Sequence, residues 1–239
     1  MTALIDLHTH TIVSGHAYST LHEMAEEAAR KGIQILGVTE HGPSIPGTCN
    51  PIYFRNYHVV PREMCGVRLL LGAEVNILDT TGRLDLDERH LACCDLRIAG
   101  IHSLCWTPGT RTQNTDGMLA AIHNPWTHII SHPADGVAEL DFEPIVRAAR
   151  ETQTLLEVNS SSLRPARNMR GARENNLELL RLARRMDVPI ILATDAHITY
   201  SIADYTYVLP LLQETNFPEE LILNWQPRVA MEYLHININ

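Results

Sequence analysis

The residues best placed to do chemistry are histidines and carboxylates that follow apolar runs. His8 and His10 close the segment Ala3-Leu4-Ile5-Asp6-Leu7-His8-Thr9-His10. A separation of two on a β-strand turns both imidazoles to one side, about 7 Å apart along the backbone, where they can converge on one ion. His16 follows across the turn-prone Ser14-Gly15. A strand-end pair is weak evidence alone, because a half-exposed polar rim has the same spelling. The pattern recurs, however. Thr39-Glu40-His41 follows Ile33 to Val38, Glu74 follows Val67 to Leu71, His102 follows Leu96 to Ile101, His132 follows Thr127 to Ser131, and Asp195-Ala196-His197 follows Ile190 to Thr194. His8, His10, His16, His41, Glu74, His102, His132, Asp195 and His197 therefore share one topological position, and they include seven of the thirteen histidines.

Nine such groups exceed the three or four ligands that one zinc ion takes, so two or three ions are implied. Glu74 can bridge two of them. Three dications against two carboxylates would leave a positive pocket suited to phosphate. Zinc suits a donor set dominated by imidazole, and manganese and iron are chemically compatible. The other six histidines, His22, His58, His90, His123, His128 and His235, fall on helices, in loops or at a strand start and read as structural or solvated. His22-Glu23 is not a zinc-protease helix signature, since Glu26 stands where the second histidine is required.

The elements that must hold these residues alternate. Thr20-Leu21-His22-Glu23 spells a capping box before Met24, Ala25, Ala28 and Ala29, with Gly32 placed to stop the helix. Asp79 to Arg83 reads as a hairpin turn, a helix is predicted around Asp116 to Ile122, and Pro133 ends the strand before it. Asp141 caps a helix carrying Ile145, Val146, Ala148 and Ala149. A sixth strand, Leu155 to Val158, precedes a loop with Arg164, Arg167 and Arg170, and a long helix spans Asn175 to Met186. Tyr205 to Leu234 reads as two or three helical segments. Seven strands, each nearly continuous in apolar residues and mostly alternating with helices, predict a helix-covered parallel sheet in one domain. Closure into a barrel is preferred because it gathers the strands' carboxyl ends on one face.

Composition narrows the partners. Of 239 residues, 45% are hydrophobic, enough for a full core. A net charge of −9 argues against a nucleic-acid surface and for small-molecule substrates. No apolar run has the length of a membrane span and no cleavable leader is legible, so a cytoplasmic location is expected. The five cysteines, with Cys93 and Cys94 adjacent, read as reduced thiols. Oligomeric state is open, a homo-oligomer included.

His8-Thr9-His10, His16, Glu40-His41, Glu74, His102, His132 and Asp195-Ala196-His197 together resemble the PHP (polymerase and histidinol phosphatase) family, especially its bacterial trinuclear-zinc phosphatases, over almost the whole chain. The resemblance implies an α/β fold, a distorted (β/α)7 TIM-like barrel forming a single metallohydrolase domain over residues 1–239, with three zinc ions at the carboxyl face. One ion would be held by His8, His10, Glu74 and Asp195, a second by Glu74, His102 and His132, a third by His16, His41 and His197. It further implies hydrolysis of small phosphate monoesters by a metal-bridging hydroxide, with Asp195, Glu74 and His10 as catalytic residues. Arg167 or Arg170 is the candidate phosphate clamp.

Two rivals stand beside this reading. Amidohydrolases also begin with His-x-His, but their binuclear form bridges the ions with a carbamylated lysine, and the only lysine here is Lys31, at the end of the first helix. A metal-binding regulatory barrel without turnover is the non-enzymatic rival. A nuclease is weaker, for want of a basic track.

Overall fold

In the computed structural model, which describes residues 3–237, seven parallel strands wrap into a nearly closed barrel. They are β1 (Ile5–Thr9), β2 (Ile35–His41), β4 (Val67–Asn76), β5 (Leu96–Gly100), β6 (Ile129–Ile130), β7 (Leu155–Asn159) and β8 (Ile190–Ala193), paired in that order. The short β3 (Glu63–Met64) pairs antiparallel with β4. Helices α1 (Leu21–Arg30), α4 (Arg111–Ile122), α5 (Phe142–Thr152) and α6 (Ala172–Arg185) connect them, with the one-turn helices α2 (Ile52–Arg55) and α3 (Glu88–Leu91) between β2 and β5. The C-terminal part supplies α7 (Leu209–Glu214) and α8 (Pro227–Tyr233).

Several boundaries differ from the sequence reading for local reasons. Thr110 and Gln113 form a second capping box, so α4 starts at Arg111 rather than near Asp116. Helix α6 starts at Ala172, after Gly171 in the left-handed region, rather than at Asn175. Strand β4 runs on to Asn76, which puts Glu74 inside a paired strand instead of just beyond one. The Thr20–Glu23 capping box of α1 is formed as read, with Thr20 N–H donating to Glu23 Oε2 at 2.7 Å.

The apolar residues sort into two cores. The larger lies between sheet and helices. The smaller fills the barrel interior with Ile5, Leu7, Ile35, Leu70, Leu96, Ile98, Ile129, Leu155 and Ile191, and α8 plugs its amino end through Ala230, Met231 and Leu234. With apolar layers below, the carboxyl end is left for polar side chains.

A register shift on β1 decides which way its histidines face. Asp6 pairs with Leu36 but Thr9 with Val38, so β1 carries one extra residue between them. Ile5 and Leu7 point into the barrel. Unbroken alternation would send His8 and His10 to the opposite face with Asp6; one extra residue reverses the parity and turns them inward. Gly37 permits it, because a Cβ there would stand 2.4 Å from the Leu7 carbonyl oxygen.

β1 and β8 are joined mostly by side chains. Asn224, fully buried, donates through Nδ2 to the carbonyls of Ile5 (3.1 Å) and Leu192 (2.8 Å) and accepts from Leu192 N–H at 2.7 Å. Asp6 accepts from Thr194 Oγ1 at 2.5 Å and Ala203 N–H at 3.0 Å. Above them His10 N–H donates to Ala196 O at 2.9 Å. Asn224→Ala strands the Leu192 amide in the core, and an unpaired buried group together with a small cavity costs about 2–4 kcal/mol. Urea unfolding is the measurement; a wild-type midpoint would mean that the seam closes without Asn224.

Candidate metal centre

Glu74 is fully buried in β4 and its two oxygens face two different groups of candidate ligands. Oε2 lies 3.3 Å from His8 Nε2 and 3.4 Å from His10 Nε2. Asp195 Oδ1 lies 3.6 and 3.2 Å from the same two nitrogens, which are 3.0 Å from each other. Atoms bound tetrahedrally to zinc at about 2.0–2.1 Å are separated by about 3.3 Å. These five separations match the edges of such a tetrahedron. On the other side, Glu74 Oε1 lies 3.2 Å from His102 Nε2 and 2.9 Å from His132 Nε2.

The third region contains His16, His41 and His197. His16 Nε2 and His197 Nε2 face each other at 3.0 Å, and the His16 and His41 rings stack with centroids 4.9 Å apart. His41 is not confined to that group: its Nδ1 approaches Glu74 Oε2 to 2.9 Å. It belongs equally to a cluster with His10 and His197 and to one with Glu74 and His102. His41 therefore stands at the junction of the regions.

The residues fit divalent ions. Glu74 Oε2, His41 Nδ1 and both ring nitrogens of His102 are buried without a well-aligned hydrogen bond, although Glu74 Oε2 lies 2.9 Å from His41 Nδ1 and Glu74 Oε1 3.2 Å from His102 Nε2. Buried polar atoms are almost always paired, and leaving them unpaired costs free energy. Nitrogen and oxygen donors that converge in this way, with nothing between them, suit a cation of the zinc type.

A second set of residues fixes the rings. His8 Nδ1 meets Glu157 Oε2 at 2.7 Å, and Glu157 Oε1 accepts from Asn159 Nδ2 at 2.5 Å. His10 Nδ1 meets Ser14 Oγ at 3.0 Å, and that hydroxyl donates to Glu40 Oε2 at 2.5 Å. His132 Nδ1 pairs with Asp135 Oδ2 at 3.0 Å. His16 and His197 turn Nδ1 to the carbonyls of Ser14 (3.1 Å) and Asp195 (2.9 Å). In all five, Nδ1 is held outward and Nε2 is left for the centre, the arrangement that orients metal-binding histidines. Backbone strain serves the same end: His132 and Asp195 adopt φ of 31° and 50°, a region that side chains other than glycine seldom occupy.

Protonation follows from burial set against charge. Burial opposes a charge on His8, but the carboxylates of Glu157, Glu74 and Asp195 outweigh it and raise the imidazole well above its ordinary value. Burial likewise yields to Asp135 and Glu74 at His132, which is raised well above its ordinary value. Burial pushes His41 down to about 3 and His197 down to about 4, helped by the charge of His10. Burial alone would raise Glu74 and Asp195; the neighbouring imidazoles, His8 first, hold both below the usual carboxylate range. The centre thus sets ionised carboxylates beside imidazoles of two kinds, His8 and His132 favoured as cations by the carboxylates and His41 and His197 held neutral by burial.

Comparison with known proteins identifies the family. Residues 6–164 match the PHP domain. A probable phosphatase of Clostridium novyi is 39% identical over 234 residues, 98% of this chain and 95% of that protein. One of Clostridium acetobutylicum is 41% identical with the same coverage. The chain belongs to the PHP family. Among solved structures, histidinol phosphate phosphatase of Lactococcus lactis, complexed with zinc, L-histidinol and phosphate, superposes on the PHP fold of this chain with a TM-score of 0.60. That likeness has 18% identity over 91% of this chain and 95% of the other, and it speaks for the fold.

The remaining candidates in this PHP protein fall in different places. Above the centre lies a cavity of about 240 Å³. Arg167 reaches it half-exposed, with Nη2 2.8 Å from Ser161 Oγ and 3.4 Å from Asp195 Oδ2. Arg170 is exposed and does not line it. Lys31 is also outside, where its ammonium donates to the carbonyls of Tyr200 and Ile202 at 2.9 and 2.7 Å. All five cysteines are free thiols. Among the described residues no helix is long and apolar enough to cross a membrane.

Proposed function

We propose that the protein is a zinc-dependent phosphatase that hydrolyses small phosphate monoesters at a trinuclear centre in the barrel mouth. The observation that carries this reading is Glu74, whose two oxygens address separate groups of imidazoles. In the proposed assignment His8, His10, Glu74 and Asp195 hold one ion, Glu74, His102 and His132 a second, and His16, His41 and His197 a third. His41 and His10 lie close enough to exchange neighbours between regions. The phosphatase relatives and a phosphate-bound structural neighbour support the reaction class. An amidohydrolase of the carbamate type finds no lysine in this cavity.

Divalent ions bound in such a site polarise phosphoryl oxygens and lower the pKa of water towards about 7. The chain's own contribution is placement. Glu74, His10 and Asp195 form the buried floor against which the phosphate is brought. Glu157, Ser14 with Glu40, and Asp135 keep three of the imidazoles aligned, so the site need not reorganise during the reaction. Arg167 presents its guanidinium from the rim towards a non-bridging phosphate oxygen, a charge-assisted contact.

Elemental analysis of the purified protein, alongside phosphate release from a panel of esters with and without chelator, tests the reading. About three zinc ions per chain and chelator-sensitive phosphate release are expected. One ion per chain with amide or lactone hydrolysis would refute it. Arg167→Ala is expected to raise KM by about tenfold to a hundredfold, the worth of a hydrogen bond to a charged group; an unchanged KM would remove Arg167 from the phosphate's surroundings.

A further inference from the structure

Resting on the phosphatase reading above, we propose that the leaving group of the substrate is a compact, uncharged and largely apolar alcohol. The chemistry of the cavity wall beyond the metal-binding residues carries this. At about 240 Å³ the cavity falls below the roughly 300–1,000 Å³ usual for small-molecule sites. Once a phosphate is seated, space remains for a short chain or one small ring. A nucleoside would have to project into solvent.

The wall that faces this space is built from Ile45, Ile101, Leu104, Val137 and Met169. Ile45 and Ile101 are buried and form its inner part. Leu104 stands at the rim, 71% exposed, where a bound alkyl or aryl group would cover it. An exposed leucine beside a polar centre gains by meeting an apolar ligand.

Beyond the imidazoles, the polar side chains of the same wall are already engaged except Ser103, which stands exposed at the rim. Asp135 accepts from Val137 N–H at 2.8 Å through Oδ1 and pairs with His132 Nδ1 at 3.0 Å through Oδ2. Ser162 donates to Asn159 Oδ1 at 3.0 Å. Asp195 and Glu74 face the imidazoles. A polyol would therefore surrender its hydration to a wall with few partners, at a cost. An ammonium group would find no carboxylate left over among the described lining residues. Arg167, the lining guanidinium, is matched by the phosphate itself.

The test is a series of monoesters hydrolysed by the full-length, zinc-loaded protein: methyl, propyl and pentyl phosphate, with glucose 6-phosphate and 2-aminoethyl phosphate as the polar and cationic members. Each methylene brought against the wall should raise kcat/KM about threefold to fourfold, so pentyl phosphate exceeds methyl phosphate by about a hundredfold. Glucose 6-phosphate and 2-aminoethyl phosphate should fall below propyl phosphate. Leu104→Asp, at an exposed position that folding does not depend on, should flatten the rise with chain length. A flat alkyl series, or preference for the sugar or amino ester, overturns the inference and leaves the phosphatase reading intact. Phosphate release from none of these esters overturns both.

Discussion

Glu74→Gln is expected to lower kcat/KM by about 10²- to 10⁴-fold and to reduce the zinc content of the purified protein. Glutamine keeps the volume of a side chain that is fully buried in the sheet, so packing is not the variable. What changes is that one of the two oxygens proposed to ligate becomes an NH2 group, which cannot bind a cation. The Oε2 side faces His8 and His10, and the Oε1 side faces His102 and His132. Whichever way the amide turns, one side is lost. A carboxylate also disappears from among imidazoles that its charge helps to balance. Breaking one partner out of a buried charged set costs about 3–5 kcal/mol, which is two to four decades in rate. Elemental analysis, initial rates and circular dichroism on the same sample separate loss of metal from loss of fold. Full zinc occupancy with turnover within tenfold of wild type would remove Glu74 from the proposed bridging role.

The candidate ligands were legible in the sequence because their signal is coarse. A parallel barrel places the residue after every strand on one face, so reading where each apolar run ends is enough to find His41, His102 or His132. The direction in which β1 presents its pair was not legible. Alternation alone groups His8 and His10 with Asp6 on the outer face, and only the pairing of Thr9 with Val38 reveals the extra residue that turns them inward. A bulge depends on two chains at once, on β1 and on the Gly37 that admits it, and no pattern within one segment shows it. Closure at β1 and β8 was hidden for the same reason: Asn224, in a stretch read simply as helical, bridges strands more than thirty and more than two hundred residues away in sequence.

The residues that orient the rings were missed although each leaves a trace. Glu157 interrupts the apolar Leu155-Leu156-Glu157-Val158, and a carboxylate in the middle of a buried strand requires a partner. Asp135 stands three residues after His132, across a proline. Glu40 precedes His41 inside a fully buried strand. The usable signal was burial of charge, which is independent of strand-end position. Arg167 and Arg170 show the opposite case: their spacing gives no reason to separate them, and only the short helical turns after β7 bring one to the cavity and leave the other in solvent.

Removing the metal is expected to cost stability as well as turnover. An ion bound only by the folded protein contributes RT ln(1 + [L]/Kd), about 2.7 kcal/mol when free metal is a hundred times Kd. For a chain of this size 1 kcal/mol moves Tm by about 2–4 °C, so each ion lost to a chelator should lower Tm by about 5–10 °C. The centre supplies the reason in its own chemistry: without ions, the nitrogens of His102 and Oε2 of Glu74 stay buried with no well-aligned hydrogen bond. Two variants make the argument specific. Asn224 binds the strands at the barrel seam and touches none of the nine candidate ligands, so Asn224→Ala should lower Tm by the same amount with and without chelator, as independent sites do. Glu74→Gln should instead abolish most of the difference that the chelator makes. Differential scanning calorimetry of the three proteins, metal-loaded and stripped, decides the matter. A chelator that abolishes phosphate release while leaving the wild-type Tm unchanged would show that the essential ion is not held by this buried cluster.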